Sequence, residues 1–152
     1  MVTAKPYVFQ RGEGRPIDLG SFKMTVKADR EATGDAFTLL EADEPPGFGP
    51  PLHIHHEAAE AFYVIDGEYV IFLESEEILC PAGAFIYIPA GVEHGFRVGR
   101  CRVQAELLHP CGDDRLLRRD GSRRGWAERR EARRAGEKFS VEVTGPVPDT
   151  YL

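Results

Sequence analysis

Short apolar segments separated by turn residues run through most of the chain. Residues 61–65 are β-branched and aromatic, Asp66-Gly67 has the composition of a two-residue hairpin turn, and residues 69–73 form the returning strand. Apolar residues and β-type alternation predict further strands around residues 22–26, 36–40, 85–88, 96–98, 102–108 and 139–143. Strands this short and this closely spaced are typical of a β-sandwich or a small barrel.

Glycine and proline are frequent between the predicted strands. The chain holds 16 Gly and 11 Pro in 152 residues, a share above average that favours a turn-dense all-β fold. Residues 44–51 contain four prolines and two glycines, so they are predicted to be a rigid loop. Residues 74–77 are predicted to be an acidic turn.

The length fits one domain, with a barrel over residues 1–110 and an extension over residues 111–152 packed on it.

The extension differs from the barrel in charge. Acidic residues outnumber basic ones over residues 1–110, and the balance reverses over residues 111–152. The Arg-rich part at 125–135 is predicted to be a short helix on the surface, anchored by Trp126. An anionic partner or a contact between subunits is the alternative role for this segment.

Composition excludes several classes of function. A net charge of −6 opposes non-specific nucleic-acid binding, and no apolar run is long enough for a spanning helix. The first ten residues lack the pattern of a secretory signal. Three cysteines without CxxC spacing are interpreted as reduced thiols, which predicts a cytoplasmic protein without nucleic-acid or membrane partners.

Three histidines and one glutamate carry the candidate chemistry. His53 and His55 are two residues apart on a predicted strand, so their side chains share a face. Glu60 begins the next strand, and His94 follows a Pro-x-Gly turn. These four side chains are predicted to bind one divalent transition metal ion, which could be Fe, Ni, Mn, Zn or Cu. A histidine pair on an exposed strand without metal is the alternative, and His56 is expected to point away from the site.

Apolar residues that alternate with these ligands are candidates for substrate binding. Phe62 and Val64 share strand parity with Glu60, and Phe96 and Val98 share it with His94. We expect these four side chains to line the interior beside the metal. Ordinary core packing is the alternative, because any half-buried strand shows the same alternation.

The spacing of these residues resembles that of the cupin superfamily. The first cupin motif is matched by Gly47, His53-Ile54-His55, Glu60 and Gly67, and the second by Gly83, Pro89-Ala90-Gly91 and His94. Val98 replaces the asparagine that ends the second motif. More loosely, the chain is similar to small single-domain cupins of the quercetin-dioxygenase-like bacterial group. The resemblance implies a double-stranded β-helix barrel, a homodimer, and His53, His55, Glu60 and His94 as metal ligands.

These observations lead to a metal-dependent enzyme as the main functional hypothesis. Dioxygenation of a small organic, aromatic molecule is the leading reaction, with Glu60 serving both as a ligand and as a catalytic base. A metal-dependent isomerase, cyclase or decarboxylase is an alternative, because fold does not fix function. A cupin that binds or senses a small molecule without turnover is another.

Overall fold

The computed structural model of the protein describes residues 5–18, 22–99, 103–110 and 141–147. The helix predicted at 125–135 and Trp126 lie outside the described residues, as do Cys101 and Cys111. Within the described ranges, no helix is long and apolar enough to span a bilayer.

Antiparallel β-strands make up almost all of the regular structure. In chain order, the described elements are β1 (Arg15–Asp18), β2 (Lys23–Ala28), α1 (Arg30–Thr33), β3 (Phe37–Glu44), β4 (Leu52–His55), β5 (Glu60–Asp66), β6 (Glu68–Leu73), β7 (Glu76–Pro81), β8 (Phe85–Ile88), β9 (Glu93–Val98), β10 (Val103–Pro110) and β11 (Val141–Gly145). The all-β prediction is therefore confirmed.

The strands form two sheets. The six-stranded sheet has the order β1-β2-β3-β10-β5-β8, and the five-stranded sheet has the order β11-β4-β9-β6-β7. All recorded pairs are antiparallel. The chain crosses repeatedly from one sheet to the other, so residues far apart in sequence meet inside the molecule.

Several predicted boundaries change in the structure. Glu44 was assigned to the Pro/Gly loop, but β3 continues through it, because Ala42 and Glu44 extend the inward alternation of Leu40. The acidic segment 74–77 is a turn only at Glu74 and Ser75, and β7 starts at Glu76. The predicted hairpin of residues 61–65 and 69–73 is wrong: β5 pairs with β10 and β8, and β6 pairs with β7 and β9, so the turn at Gly67 leads the chain from one sheet to the other. The sequence analysis did not predict β1, β7 or α1. In β7, four exposed residues in a row leave no alternation to detect.

The core lies between the two sheets. Its buried residues come from both, and the aromatic members are Phe22, Phe62, Tyr69 and Phe96. A second, smaller cluster of Val70, Phe72 and Val147 packs on the outer face of the five-stranded sheet. β11 pairs with β4, so the described end of the chain is attached to the strand that carries the histidine pair.

The Pro/Gly loop is fastened to β9. The Gly47 amide donates to the Val98 carbonyl at 3.0 Å, and the Val98 amide donates to the Phe48 carbonyl at 2.7 Å. Gly49 lies so close to β9 that a β-carbon there would overlap the Phe96 carbonyl oxygen. The loop therefore holds the strand that carries His94.

We expect Gly49→Ala to destabilise the protein by at least about 2 kcal/mol, because either the loop or β9 must shift to admit the methyl group. Urea unfolding measures the change. Gly145→Ala is the matched control, since a β-carbon at Gly145 meets no atom within 4 Å. Equal stability of the two variants would show that the loop does not depend on this close approach.

Candidate metal centre

Strand pairing brings the histidines together. His53 on β4 is the direct cross-strand partner of His94 on β9, and His55 lies two residues further along the same face of β4. Their rings lie close to one another, with centroids 4.4 Å apart for His53 and His94 and 5.5 Å apart for His55 and His94. Three imidazoles thus converge from adjacent strands of the five-stranded sheet.

Glu60 reaches the same point from the opposite sheet. It is the first residue of β5, is buried, and pairs across the strand with Ile88 of β8. Its Oε2 lies 2.8 Å from His94 Nε2 and 3.6 Å from His55 Nε2. One ligating atom from each of His53, His55, Glu60 and His94 lies within 4.8 Å of all the others. The cluster that the sequence predicted is therefore assembled by both sheets.

Backbone carbonyls fix the orientation of two imidazoles. His53 Nδ1 lies 2.8 Å from the Pro51 carbonyl oxygen, and His94 Nδ1 lies 2.8 Å from the Val92 carbonyl oxygen. A carbonyl oxygen can only accept, so Nδ1 must carry the proton in both rings. Nε2 is then the nitrogen that can offer a lone pair to a metal.

The contact between His94 and Glu60 requires a shared proton. His94 Nδ1 already uses its proton on Val92, so the 2.8 Å contact between Nε2 and the Glu60 carboxylate needs a second one. A divalent cation could replace this proton, because Nε2 and the carboxylate oxygen would then both bind the cation. Three imidazoles and one carboxylate suit the transition metals named above. The donor set and its spacing therefore fit one ion.

The four predicted substrate-binding residues all lie in the core. Phe62, Val64, Phe96 and Val98 are buried on the inward faces of β5 and β9. The Phe62 and Phe96 rings meet edge to face with centroids 5.5 Å apart. The structure thus brings these residues together behind the metal ligands, and substrate contact stays a prediction.

A groove opens beside the cluster. It has a volume of about 310 Å³ and is lined by Leu73, Glu74, Ser75, Glu76, Tyr87, Ile88, Pro89 and Val92. Leu73 and Ile88 are the cross-strand partners of His94 and Glu60. The groove therefore adjoins two of the candidate ligands, at the end of the barrel where they lie.

A buried polar pair, missed by the sequence analysis, crosses the interior. The Tyr69 hydroxyl on β6 donates to the Glu44 carboxylate on β3, and the two side chains are 0% and 1% exposed. The Tyr69 ring packs against Phe96, with centroids 4.9 Å apart. Tyr69 is also the cross-strand partner of Val98. A polar pair thus lies next to Val98, which stands where the second cupin motif ends in asparagine.

Burial strongly perturbs both groups of this pair. The pKa of Glu44 is raised from 4.5 to about 7, mainly because burial desolvates the carboxylate. The hydrogen bond from Tyr69 lowers this pKa, and the negative charges of Glu60 and Asp43 raise it. Desolvation, together with the charge of Glu44, raises the pKa of Tyr69 far above its usual range. Near neutral pH, Glu44 is therefore poised between its protonated and ionised forms.

Two other residues singled out by the sequence lie away from the cluster. His56 is exposed, as expected, and its Nε2 lies 3.1 Å from the Glu142 carboxylate on β11. Cys80 is a buried free thiol, and burial raises its pKa. Neither residue contributes to the candidate metal centre.

The sequence of residues 40–108 matches the cupin domain family. Residues 40–108 are a cupin domain. They contain all four candidate ligands and Glu44, Tyr69 and Val98. The resemblance to the cupin family inferred from the two motifs is therefore confirmed.

Relatives of known structure or function share this domain. Over 99 residues, the chain is 34% identical to quercetin 2,3-dioxygenase from Bacillus subtilis (strain 168), covering 65% of this chain but only 29% of that enzyme. The polyketide cyclase RemF from Streptomyces resistomycificus aligns with a TM-score of 0.60 and 21% identity, over 70% of this chain and 80% of that one. A predicted oxalate decarboxylase from Thermotoga maritima aligns with a TM-score of 0.62 and 21% identity, over 69% and 99%. The two structural alignments support the fold.

We expect Glu44 to make the stability of the metal-free protein pH-dependent. Its pKa is higher in the folded state than in the unfolded chain, so its stabilising contribution is complete below about pH 4.5 and is lost as the pH rises through about 7. The loss amounts to roughly 3 kcal/mol at 1.36 kcal/mol per pKa unit. Urea unfolding in a chelator between pH 4.5 and 8 measures it.

Glu44→Gln should remove the pH-dependent contribution of Glu44 to the free energy of unfolding. The difference in unfolding free energy between the variant and wild type should therefore shift in favour of the variant as the pH rises. Glu77→Gln, an exposed substitution, is the matched control and should follow the wild-type curve. A constant difference between wild type and Glu44→Gln across this pH range would contradict the assignment.

Proposed function

We propose that this protein is a metal-dependent enzyme of the dioxygenase type that acts on a small, aromatic organic molecule. The observation that carries the proposal is the cluster of His53, His55, Glu60 and His94, with ligating atoms within 4.8 Å and two imidazoles oriented by backbone carbonyls. The similarity to quercetin 2,3-dioxygenase over 65% of the chain supports this reaction type.

The residues of the site divide into two roles. His53, His55 and His94 would hold the metal, which would supply Lewis-acid or redox chemistry at its open coordination positions. Glu60 would either bind the metal or accept a proton from a substrate hydroxyl through Oε2. The 2.8 Å contact of Oε2 with His94 Nε2 supports this role, because it requires a proton between the two atoms. Glu60 is therefore the proposed catalytic base.

Apolar side chains would select the substrate. The groove beside His94 and Glu60 offers Leu73, Ile88 and Val92 to a planar apolar molecule. Phe62, Val64, Phe96 and Val98 would form the inner wall of the cavity. Aromatic rings that meet edge to face can bind another aromatic ring in the same geometry. We propose an aromatic substrate for this reason.

Other chemistry is compatible with the same ligands. A metal acting only as a Lewis acid would give an isomerase, a cyclase or a decarboxylase, and a cupin without turnover would bind or sense the same small molecule. We propose a cytoplasmic location, which the buried free thiol of Cys80 supports.

Metal analysis of the purified protein tests the centre. We expect close to one ion per chain after purification without chelator, and we expect His53→Ala and His94→Ala to lose it. His56→Ala is the matched control, because its side chain points away from the cluster. Wild-type protein without stoichiometric metal, or a His53→Ala variant that retains it, would overturn the assignment.

Oxygen uptake tests the reaction type. After anaerobic reconstitution with Fe(II), we expect O₂ consumption with quercetin or catechol. It should fall by at least about a hundredfold in Glu60→Gln. A metal-loaded wild-type protein that binds these phenols without consuming O₂ would favour the binding role. Conversion of the phenol without O₂ uptake would favour the Lewis-acid reactions.

We also propose that the chain forms a homodimer through the outer face of β8. Phe85 and Tyr87 are 62% and 61% exposed, and Tyr63 on the paired strand β5 is 46% exposed. β8 is the edge of its sheet, so one side of its backbone has no neighbouring strand within that sheet. Exposed aromatic residues on a sheet edge are typical of protein interfaces.

We expect the wild-type protein to have the mass of two chains in light scattering after gel filtration. Phe85→Lys and Tyr87→Lys together should shift it to the mass of one, because two charges would have to be desolvated at the interface. Val8→Lys, which also alters an exposed apolar residue, is the control. A monomeric wild type, or a dimeric double variant, would contradict this interface.

A further inference from the structure

Two carboxyl groups are buried in the barrel interior. Glu44 and Glu60 are both buried there, on β3 and β5 of one sheet. Lys27 is a buried cation among the described residues, but it lies on the outer face of the same sheet, where it binds Glu41 at 2.8 Å. Glu60 shares a proton with His94, whereas no cation among the described residues is recorded as acting on Glu44. Because a buried carboxylate without a cation is costly, Glu44 must hold a proton or receive a positive partner.

The groups that face Glu44 are identifiable from the packing. Tyr69 of β6 donates to its carboxylate, and Glu60 of β5 and its own neighbour Asp43 act on it as negative charges. Cys80 of β7, the cross-strand partner of Tyr69, lies in the same core cluster as an uncharged thiol. Among the described residues, none of the groups recorded as acting on Glu44 is cationic.

Glu44 shares the interior with the metal ligands. Phe62 and Phe96 lie two residues beyond Glu60 and His94 on the same inward faces, and both pack against the Tyr69 ring. The buried rings of Phe62, Phe96 and Tyr69 therefore lie in the part of the interior that Glu44 shares with Glu60 and His94. Because this part of the interior is apolar, a charge at the centre would be weakly screened at Glu44.

We propose that Glu44 is the charge-compensating carboxyl of the metal centre: in the metal-free barrel it is protonated below neutral pH and partly protonated at pH 7, and it releases this proton when a divalent ion binds. This inference rests on the proposed metal site. A divalent ion together with ionised Glu60 leaves one net positive charge, and ionised Glu44 would balance it. The Tyr69 hydroxyl would stabilise the resulting carboxylate by its hydrogen bond. Glu44 is a positioning residue in this role, because it balances charge without contacting the ion.

Proton release on metal binding tests the proposal directly. Titration calorimetry with Ni²⁺ at pH 7, in two buffers of different ionisation enthalpy, counts the protons released per ion. A carboxyl whose pKa is about 7 is about half protonated at this pH. Wild type should therefore release roughly 0.4 proton more than Glu44→Gln. Protons displaced from the ligands themselves are the same in both proteins and cancel.

The pH dependence of metal affinity gives a second readout. By linkage, each unit by which the bound ion lowers the pKa of Glu44 means that the protein binds the ion ten times more tightly when Glu44 is ionised than when it is protonated. Glu44→Gln should bind Ni²⁺ about tenfold more weakly than wild type at pH 8.5, and the gap should close to about twofold at pH 6. A purely structural role of Glu44 would give the same ratio at both pH values.

Two further variants sharpen the test. Tyr69→Phe retains the carboxyl but removes its hydrogen bond, so the pH at which the extra affinity develops should rise. Glu77→Gln removes an exposed negative charge on β7 that is not among the groups recorded as acting on Glu44, and it should match wild type within about twofold. Circular dichroism would show that each variant is folded.

The outcomes separate this inference from the proposed function. Equal proton release and a constant affinity ratio in wild type and Glu44→Gln, with Ni²⁺ bound to both, would overturn the role of Glu44 alone. Failure of wild type to bind Ni²⁺ would overturn the metal site and the role of Glu44 together. A Tyr69→Phe protein with an unchanged pH dependence would also overturn the hydrogen-bonded compensation proposed here.

Discussion

The pairing of β4 with β9 is the constraint on which the rest of the site depends. It sets His53 directly opposite His94, and a shift of one residue would turn either side chain to the other face of the sheet. The register is held from both ends of β9: the Pro/Gly loop bonds to Val98, and the Gly91 amide donates to the His55 carbonyl at 2.8 Å. The turn and loop residues thus hold the His/Glu cluster together by fixing a strand register.

Glu60 adds a constraint between the two sheets. Three ligands belong to one sheet and the fourth to the other, so the sheets must be packed at one relative position for the cluster to form. The aromatic core supplies that packing, since Phe62 of one sheet meets Phe96 and Tyr69 of the other. Phe62 and Phe96, which are proposed to contact the substrate, therefore also hold the two sheets in position. Substitutions of these residues would change both the substrate contact and the geometry of the His/Glu cluster.

The parts of the site that sequence could predict are those with local signals. Two motifs with fixed spacing located all four members of the His/Glu cluster, and strand parity placed Phe62, Val64, Phe96 and Val98 in the interior. Glu44 was missed because a glutamate before two prolines suggests a loop, and its burial depends on Tyr69, which is 25 residues away. β7 was missed because an exposed edge strand has no alternation. Long-range contacts and edge strands leave no periodic trace in the sequence.

The replacement of the motif's final asparagine by Val98 acquires a physical meaning from these contacts. An apolar residue at this position lowers the polarity of the interior, which raises the desolvation free energy of any charge placed beside it. The polar capacity of this region is supplied instead by Tyr69, the cross-strand partner of Val98, and by Glu44 beyond it. A carboxyl can gain or lose a proton, and an asparagine amide cannot. The net charge of the interior therefore depends on pH through Glu44. The proposed dependence of metal binding on pH is thus a consequence of this substitution together with the buried pair.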